Sequence, residues 1–277
     1  MIISNMKRGS FDVPKFPRLS LLSLLCVTSV SIAGTSGIKE LSSANWSGFY
    51  VGINGGYSWS NARTQVVPLP EPAELPPGDG TIKPSSMSLS MSGGTVGGQV
   101  GYNLQLRAYP QVYLGLETDM NWNSLKGSST ENAVGNAVEH LEVFNNALST
   151  QHKLTWFGTL RGRIGYSPTA QVLLYGTGGL AYGSVKEQAN VNFISGGYGD
   201  EQYPFSKTLT RAGWTAGGGA EWVLKQNWSM KLEYLYYDLG STSGIADPII
   251  PNPPFQIKYI WTNPAQVIRF GLNYHFS

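Results

Sequence analysis

Along most of the chain apolar and polar positions alternate with a period of two, the spacing of a strand whose faces meet different surroundings. Over residues 267–276, Ile268, Phe270, Leu272, Tyr274 and Phe276 share one face, and Val267, Arg269, Gly271, Asn273 and His275 share the other. Upstream, Trp228, Met230, Leu232, Tyr234 and Tyr236 oppose Ser229, Lys231 and Glu233. Trp214, Ala216, Gly218, Ala220 and Trp222 oppose Thr215, Gly217, Gly219 and Glu221. Leu154, Trp156, Leu160, Ile164 and Tyr166 are read as one face against Thr155, Thr159, Arg161 and Arg163. Val112, Leu114, Leu116, Met120 and Trp122 oppose Glu117, Asp119 and Asn121, and Val96, Val100, Tyr102 and Leu104 oppose Thr95, Gln99 and Asn103. Phe49, Val51, Ile53, Tyr57 and Trp59 face away from Gly52, Asn54 and Ser58. Residues 171–183 are strand-like too, with their facing left open. Eight strands are predicted.

A soluble β-sandwich also alternates, with its apolar face inward. Two features favour a membrane barrel. The apolar faces carry aromatics at their ends, with Trp59, Trp122, Trp156 and Trp214 at one end and Tyr102, Tyr166, Trp222, Trp228, Tyr274 and Phe276 at the other. Two aromatic girdles around an aliphatic band suit two membrane interfaces. The opposite faces mix glycine with charge, which fits a narrow lumen better than a wet surface. Connections alternate strictly: 108–111, 167–170 and 225–227 are short, while 61–84, 124–151, 187–207 and 240–263 are read as long loops of roughly 20 to 28 residues. Such a chain is predicted to be all-β, an eight-stranded antiparallel up-and-down transmembrane β-barrel over 46–277. Both termini then lie on the periplasmic side. Closure satisfies every backbone amide without leaving an edge in lipid.

Composition agrees with this picture. Charged residues are 13% of the 277, aromatics 12%, and glycine occurs 34 times. At the N-terminus Lys7, Arg8, Lys15 and Arg18 precede an apolar run over 19–32 that ends at Ser31-Ile32-Ala33. That is the layout of a secretory signal peptide over 1–33, followed by a short periplasmic segment over 34–45. The run is too short to span a bilayer as a helix. Export would remove Cys26, leaving no thiol chemistry. Removing four of the 19 basic residues and one of the 17 acidic ones leaves 15 against 16. The overall +2 is thus a property of the signal peptide, and no nucleic-acid partner is expected.

Nine charges fall on the inward faces: Glu117, Asp119, Arg161, Arg163, Arg211, Glu221, Lys231, Glu233 and Arg269. Eight strands enclose little more than their own side chains, so these near-balanced charges are read as an ion-pair network that fills the lumen. A tight turn around Gln226 would set Glu221 opposite Lys231. The other reading is a narrow selective pore lined by the same residues. No catalytic residues and no metal site are expected. The three histidines, His140, His152 and His275, form no His-x-x-x-His pair, and no Gly-x-Ser-x-Gly elbow occurs. Ser149 beside His152 is the nearest imitation of a lipid-modifying rim site. The long loops are the remaining place for function. One is Pro-rich and acidic over 66–77. Another sets Val134, Val138, Leu141, Phe144 and Leu148 at helical spacing, open either to a short helix or to a continuation of the strands. A third exposes Ile249, Ile250 and Phe255 among prolines.

Several segments carry a family resemblance. Trp46-Ser-Gly-Phe-Tyr-Val-Gly-Ile-Asn-Gly-Gly-Tyr57, Trp156-Phe-Gly-Thr-Leu-Arg-Gly-Arg-Ile-Gly-Tyr166 and Leu174-Tyr-Gly-Thr-Gly-Gly-Leu-Ala-Tyr-Gly183 come first. Lys231-Leu-Glu-Tyr-Leu-Tyr-Tyr-Asp-Leu-Gly240 and Arg269-Phe-Gly-Leu-Asn-Tyr-His-Phe276 follow. Together they resemble the porin-like outer-membrane β-barrel family that includes outer-membrane immunogenic proteins and some haemin-binding surface proteins. The chain departs from the family's usual aromatic last residue, because Ser277 follows Phe276. The resemblance implies a cell outer membrane location in a Gram-negative envelope, and a monomeric surface antigen that contributes to envelope structure. Outer-membrane lipid, periplasmic chaperones and the barrel-assembly machinery are its implied partners, with surface ligands reached through the loops. No cofactor is required; haemin is the one ligand the resemblance raises, and it would need exposed His140, His152, Tyr198 or Tyr203.

Overall fold

The computed structural model describes residues 46–69, 85–136, 143–194, 201–249 and 256–276. The expected signal peptide, its cleavage position and the expected periplasmic segment 34–45 lie outside the described residues, as do His140, Tyr198, Ile250 and Phe255. Eight strands follow one another: β1 (Gly48–Leu69), β2 (Ser86–Leu106), β3 (Tyr109–Asn136), β4 (Val143–Thr169), β5 (Val172–Ile194), β6 (Glu201–Lys225), β7 (Trp228–Ala246) and β8 (Gln256–Phe276). Each pairs antiparallel with its sequence neighbour, and β1 pairs with β8 to close the ring. The tight turns and both strand termini share one end, which is the periplasmic end of such a barrel.

The outward faces are apolar enough to need lipid. Leu116 is 64% exposed, Ile53 67% and Phe270 60%, with many similar neighbours. The aromatics read as girdles all stand on this outer face. Trp122 is the most exposed of them, and Trp59, Trp156, Trp214, Trp222, Trp228, Tyr274 and Phe276 are half-buried to exposed. Ring contacts tie several together, such as Trp228 with Tyr274 at 5.2 Å and Trp214 with Tyr236 at 5.2 Å.

Three expectations need correction. Most of the length read as long loops is strand. β3 has 28 residues and even β7 has 19, about twice the 9–11 that cross a bilayer. The excess lies beyond the upper tryptophans, so the barrel wall continues well outside the membrane. The period of two could not show this, because above the girdle the outer face turns polar. Second, the residues spaced for a helix are no helix where described: Val134, Phe144 and Leu148 lie in β3 and β4. Third, Leu154 faces inward and is 3% exposed. The register shifts between Leu154 and Trp156, so Thr155 is an extra residue that inverts the facing on either side. The facing left open for β5 is also settled. Leu173, Tyr175, Ala181 and Val185 point in, while Leu174 and Leu180 point out.

Two seams lose their ladder toward the outer end: β2–β3, whose pairs stop at Ser92↔Lys126, and β6–β7. The β6–β7 ladder runs from Lys225↔Trp228 only to Trp214↔Asp238. Beyond it the two strands run alongside each other with side chains in between. The Arg211 guanidinium donates to the Ser241 carbonyl, and the Phe205 ring lies on Gly244, where an added Cβ would meet it at 2.0 Å. A backbone bond from Ile249 N to Gln202 O, 3.0 Å, rejoins them at the outer end.

Candidate functional site

The lumen is stacked in layers, and the inner face of β8 reads through them. Ile257, Tyr259 and Trp261 belong to an outer apolar cluster with Val66, Leu148 and Tyr203. Asn263 lies in a polar layer with Thr242 and Glu187. Ala265 and Val267 join a second apolar cluster around Phe157 and Tyr237, whose rings stack at 4.9 Å. Arg269 and Asn273 then enter the charged layer, and His275 ends the strand against Trp46, ring centroids 5.6 Å apart. Trp46, Tyr113 and Leu173 form the apolar base.

In the charged layer eight ionised groups, four acidic and four basic, are packed without access to water. Arg161 donates to Glu117, to Asp119 at 2.9 Å and to Glu233 at 2.9 Å. Arg269 holds Glu233 at 2.6 Å and Asp119 at 2.8 Å. Lys231 donates to both oxygens of Glu117 at 2.9 Å. Arg163 reaches Glu221 at 3.1 Å, and its guanidinium carbon lies 3.9 Å from the Tyr175 ring centroid, a desolvated cation–π contact. Charges this deep persist only when nearly every donor and acceptor is used.

Neutral side chains finish the job. Tyr50 donates to Glu117 at 2.6 Å, and Tyr175 to Glu233 at 2.9 Å. Asn121 and Thr159 each donate to Asp119 at 2.6 Å. Glu221 accepts from Ser229 at 2.5 Å and Asn273 at 2.6 Å, with His275 Nε2 at 3.2 Å. Glycines make room for the two phenols. A Cβ at Gly101 would sit 2.3 Å from the Tyr50 ring, and one at Gly219 2.7 Å from the Tyr175 hydroxyl.

Of the nine charges singled out, Arg211 stands apart. It lies beyond the Trp214 girdle, half-buried, with its guanidinium on the β7 backbone at Ser241. Glu221 and Lys231 do sit opposite in register, yet they do not pair. Lys231 reaches across to Glu117, and Glu221 is taken by Arg163. Sequence reasoning missed Tyr50, Tyr175 and Ser229 as partners of the charges. The signal was there, since Tyr50 alternates against Phe49 and Val51, but an inward tyrosine breaks the rule that aromatics face lipid.

Neither of the described haemin candidates is exposed. His152 is 2% exposed and Tyr203 fully buried, both pointing inward. Burial pulls the His152 imidazole down to about 4, and its cross-strand neighbour Glu187 is pushed up, chiefly by burial. Ser149 faces outward and exchanges a hydrogen bond with Thr130 at 3.1 Å, so it makes no pair with His152. Among the described residues, a cluster of Ser, His and carboxylate, Ser229 with His275 and Glu221, is wrongly wired for nucleophilic catalysis. Nε2 faces both partners, whereas a triad needs the acid on Nδ1. Among the described residues no group of His, Cys, Asp and Glu is placed to hold a metal ion.

A family profile described as "Outer membrane protein beta-barrel domain" matches residues 22–276. The 31 kDa outer-membrane immunogenic protein of Brucella melitensis is 37% identical over 235 residues, 84% of each chain. The 25 kDa outer-membrane immunogenic protein of Brucella abortus is 28% identical over 233 residues, 84% of this chain and 80% of its own. Among solved structures, the outer membrane protein OprG from Pseudomonas aeruginosa aligns over 84% of this chain and 99% of its own, at 11% identity and a TM-score of 0.42.

Proposed function

Because the chain belongs to the outer membrane protein β-barrel domain family, we propose that it serves the outer membrane as a closed, non-conducting and non-enzymatic wall protein that carries a surface beyond the bilayer. One observation supports this above the rest: the lumen is filled end to end by an ion-paired layer held between apolar layers. A pore needs a continuous wet path. Here Phe157 and Tyr237 stack across one level, while Tyr259 and Trp261 occupy another. The long strands support the surface role, because a rigid wall holds its outer end at a fixed height.

The test is solute uptake by liposomes carrying the folded barrel. Uptake of small sugars and amino acids is expected to match that of protein-free liposomes. Uptake that rises with protein density and falls with solute size would replace the wall reading by the pore. The haemin reading receives little support, since His152 and Tyr203 are buried. A Soret shift on titrating micromolar haemin, lost in His152→Ala, would restore it.

A further inference from the structure

We infer that the outer wall between β3 and β5, just beyond the upper tryptophans, is a binding face for the phosphorylated sugar headgroup of a membrane lipid. Three lysines form its centre. Lys126 on β3 sits opposite Lys153 on β4, and Lys153 sits opposite Lys186 on β5. All three are exposed and belong to the outward set of their strands. Adjacent strands are about 4.8 Å apart, so the three side chains leave the wall within about 10 Å. Like charges directly opposite one another destabilise a sheet. The ion pairs among the described residues all lie in the lumen, and none involves these lysines. The outward positions around them, Ser124, Ser128, Gln151, Ser184, Gln188 and Thr208, include no carboxylate. The row is an uncompensated cation placed where folding alone gains nothing from it.

Its height identifies the anion. Lys126 follows the outward Trp122 by four residues, and Lys186 follows the outward Tyr182 by four. Lys153 stands three residues beyond Trp156, across the extra residue Thr155. Four residues of strand measure about 13 Å, and at the usual tilt they rise about 10 Å above the aromatic girdle. That is headgroup level, outside the hydrocarbon. The surroundings identify what bears the charge. On the same wall, Ser128, Thr130, Ser149, Gln151, Gln188 and Asn190 line a groove of about 620 Å3. A second groove of about 520 Å3 joins Lys153 to Trp122, Ser124 and Thr155. Neutral donors and acceptors flanking a cation row match sugar hydroxyls flanking phosphates, and Trp122 offers an apolar plane to the lipid side.

Native mass spectrometry of the folded barrel in neutral detergent tests this. The probes are a diphosphorylated glucosamine-disaccharide glycolipid, the same glycolipid without phosphates, phosphatidylglycerol and inorganic phosphate. The wild type is expected to retain the phosphorylated glycolipid over the other three. The triple variant Lys126→Gln, Lys153→Gln, Lys186→Gln should lose about tenfold or more in affinity, and the corresponding triple Arg variant should keep it. Exposed, unpaired lysines are dispensable for folding, which retained heat-modifiable gel mobility would verify; Lys153→Gln alone serves if the triple variant does not fold. Equal retention by the Gln variant, or by the phosphate-free glycolipid, overturns the inference. So does equal binding of phosphatidylglycerol, which would make the face a generic anion patch. Displacement by inorganic phosphate at matched concentration would make it a free-phosphate site. None of these outcomes depends on whether the lumen conducts.

Discussion

Arg161 donates to three carboxylates at once, and all of them are shut off from water. Removing one partner from such a group strands the others, which typically costs about 3–5 kcal/mol. Arg161→Met is therefore expected to lower the urea midpoint of the folded barrel steeply, while a matched exposed change such as Lys153→Gln leaves it within error. Equal midpoints would show that the ion pairs carry little stability. His152 makes a second residue-scale prediction. Its ring titrates near 4 in the folded chain against an ordinary 6.5, so between these values the unfolded chain binds the extra proton. Stability then falls as pH drops from 6.5 toward 4, by about 3 kcal/mol from this group alone. Glu187, raised chiefly by burial, works in the opposite sense, favouring the fold when protonated and losing that contribution as pH rises through its raised value. Unfolding midpoints at pH 7 and 4.5 should converge in His152→Gln; an unchanged gap would remove His152 as the cause. The charged members of the lumen were legible in the sequence because a charge on a strand facing away from lipid has nowhere else to go. Their partners were not, since Lys231 bypasses its neighbour Glu221 for Glu117 across the lumen, and no spacing rule reaches that far.

The extra residue at Thr155 governs β4. It lets His152 and Leu154 point inward above it while Phe157, Arg161 and Arg163 point inward below. Deleting Thr155 forces one of these two sets onto the outer face, because a one-residue slip inverts every side chain. The deletion variant is expected to lose heat-modifiable mobility, and a folded product of ordinary stability would contradict the assigned facing. Alternation read β4 as continuous and so turned Leu154 outward; a bulge has no sequence signal of its own. The strands' true lengths were equally hidden. Above the girdle the outer face carries Ser, Thr, Gln and Lys, which resemble loop composition until the inward Leu148, Val191 and Tyr259 are seen to share a core. The β6–β7 seam adds a third expectation. Amides of β6 over 201–213 that face β7, and of β7 over 239–246 that face β6, lack the ladder that protects β4 and β5 on both sides. Hydrogen exchange should mark these two segments as faster than β4 and β5 at the same height, and uniform protection would show the seam to be closed.

At the scale of the whole molecule the membrane sets one problem and the lumen another. Lipid requires a closed ladder with an apolar outside, and those demands act on every second residue, so the eight strands and their order are plain from the sequence. Filling the inside requires groups far apart in the chain to meet at one level, such as Tyr50, Glu117, Arg163 and Glu221. Alternation narrows that set without ordering it. The result is a cylinder blocked three times by apolar layers and twice by polar ones, which leaves the outer wall and outer end as the surfaces open to partners. Single-channel recording in planar lipid bilayers addresses this most directly. The folded barrel is expected to give no steady conductance above the bilayer background, and reproducible channels on the order of a nanosiemens, as a water-filled lumen would produce, would contradict the plugged lumen.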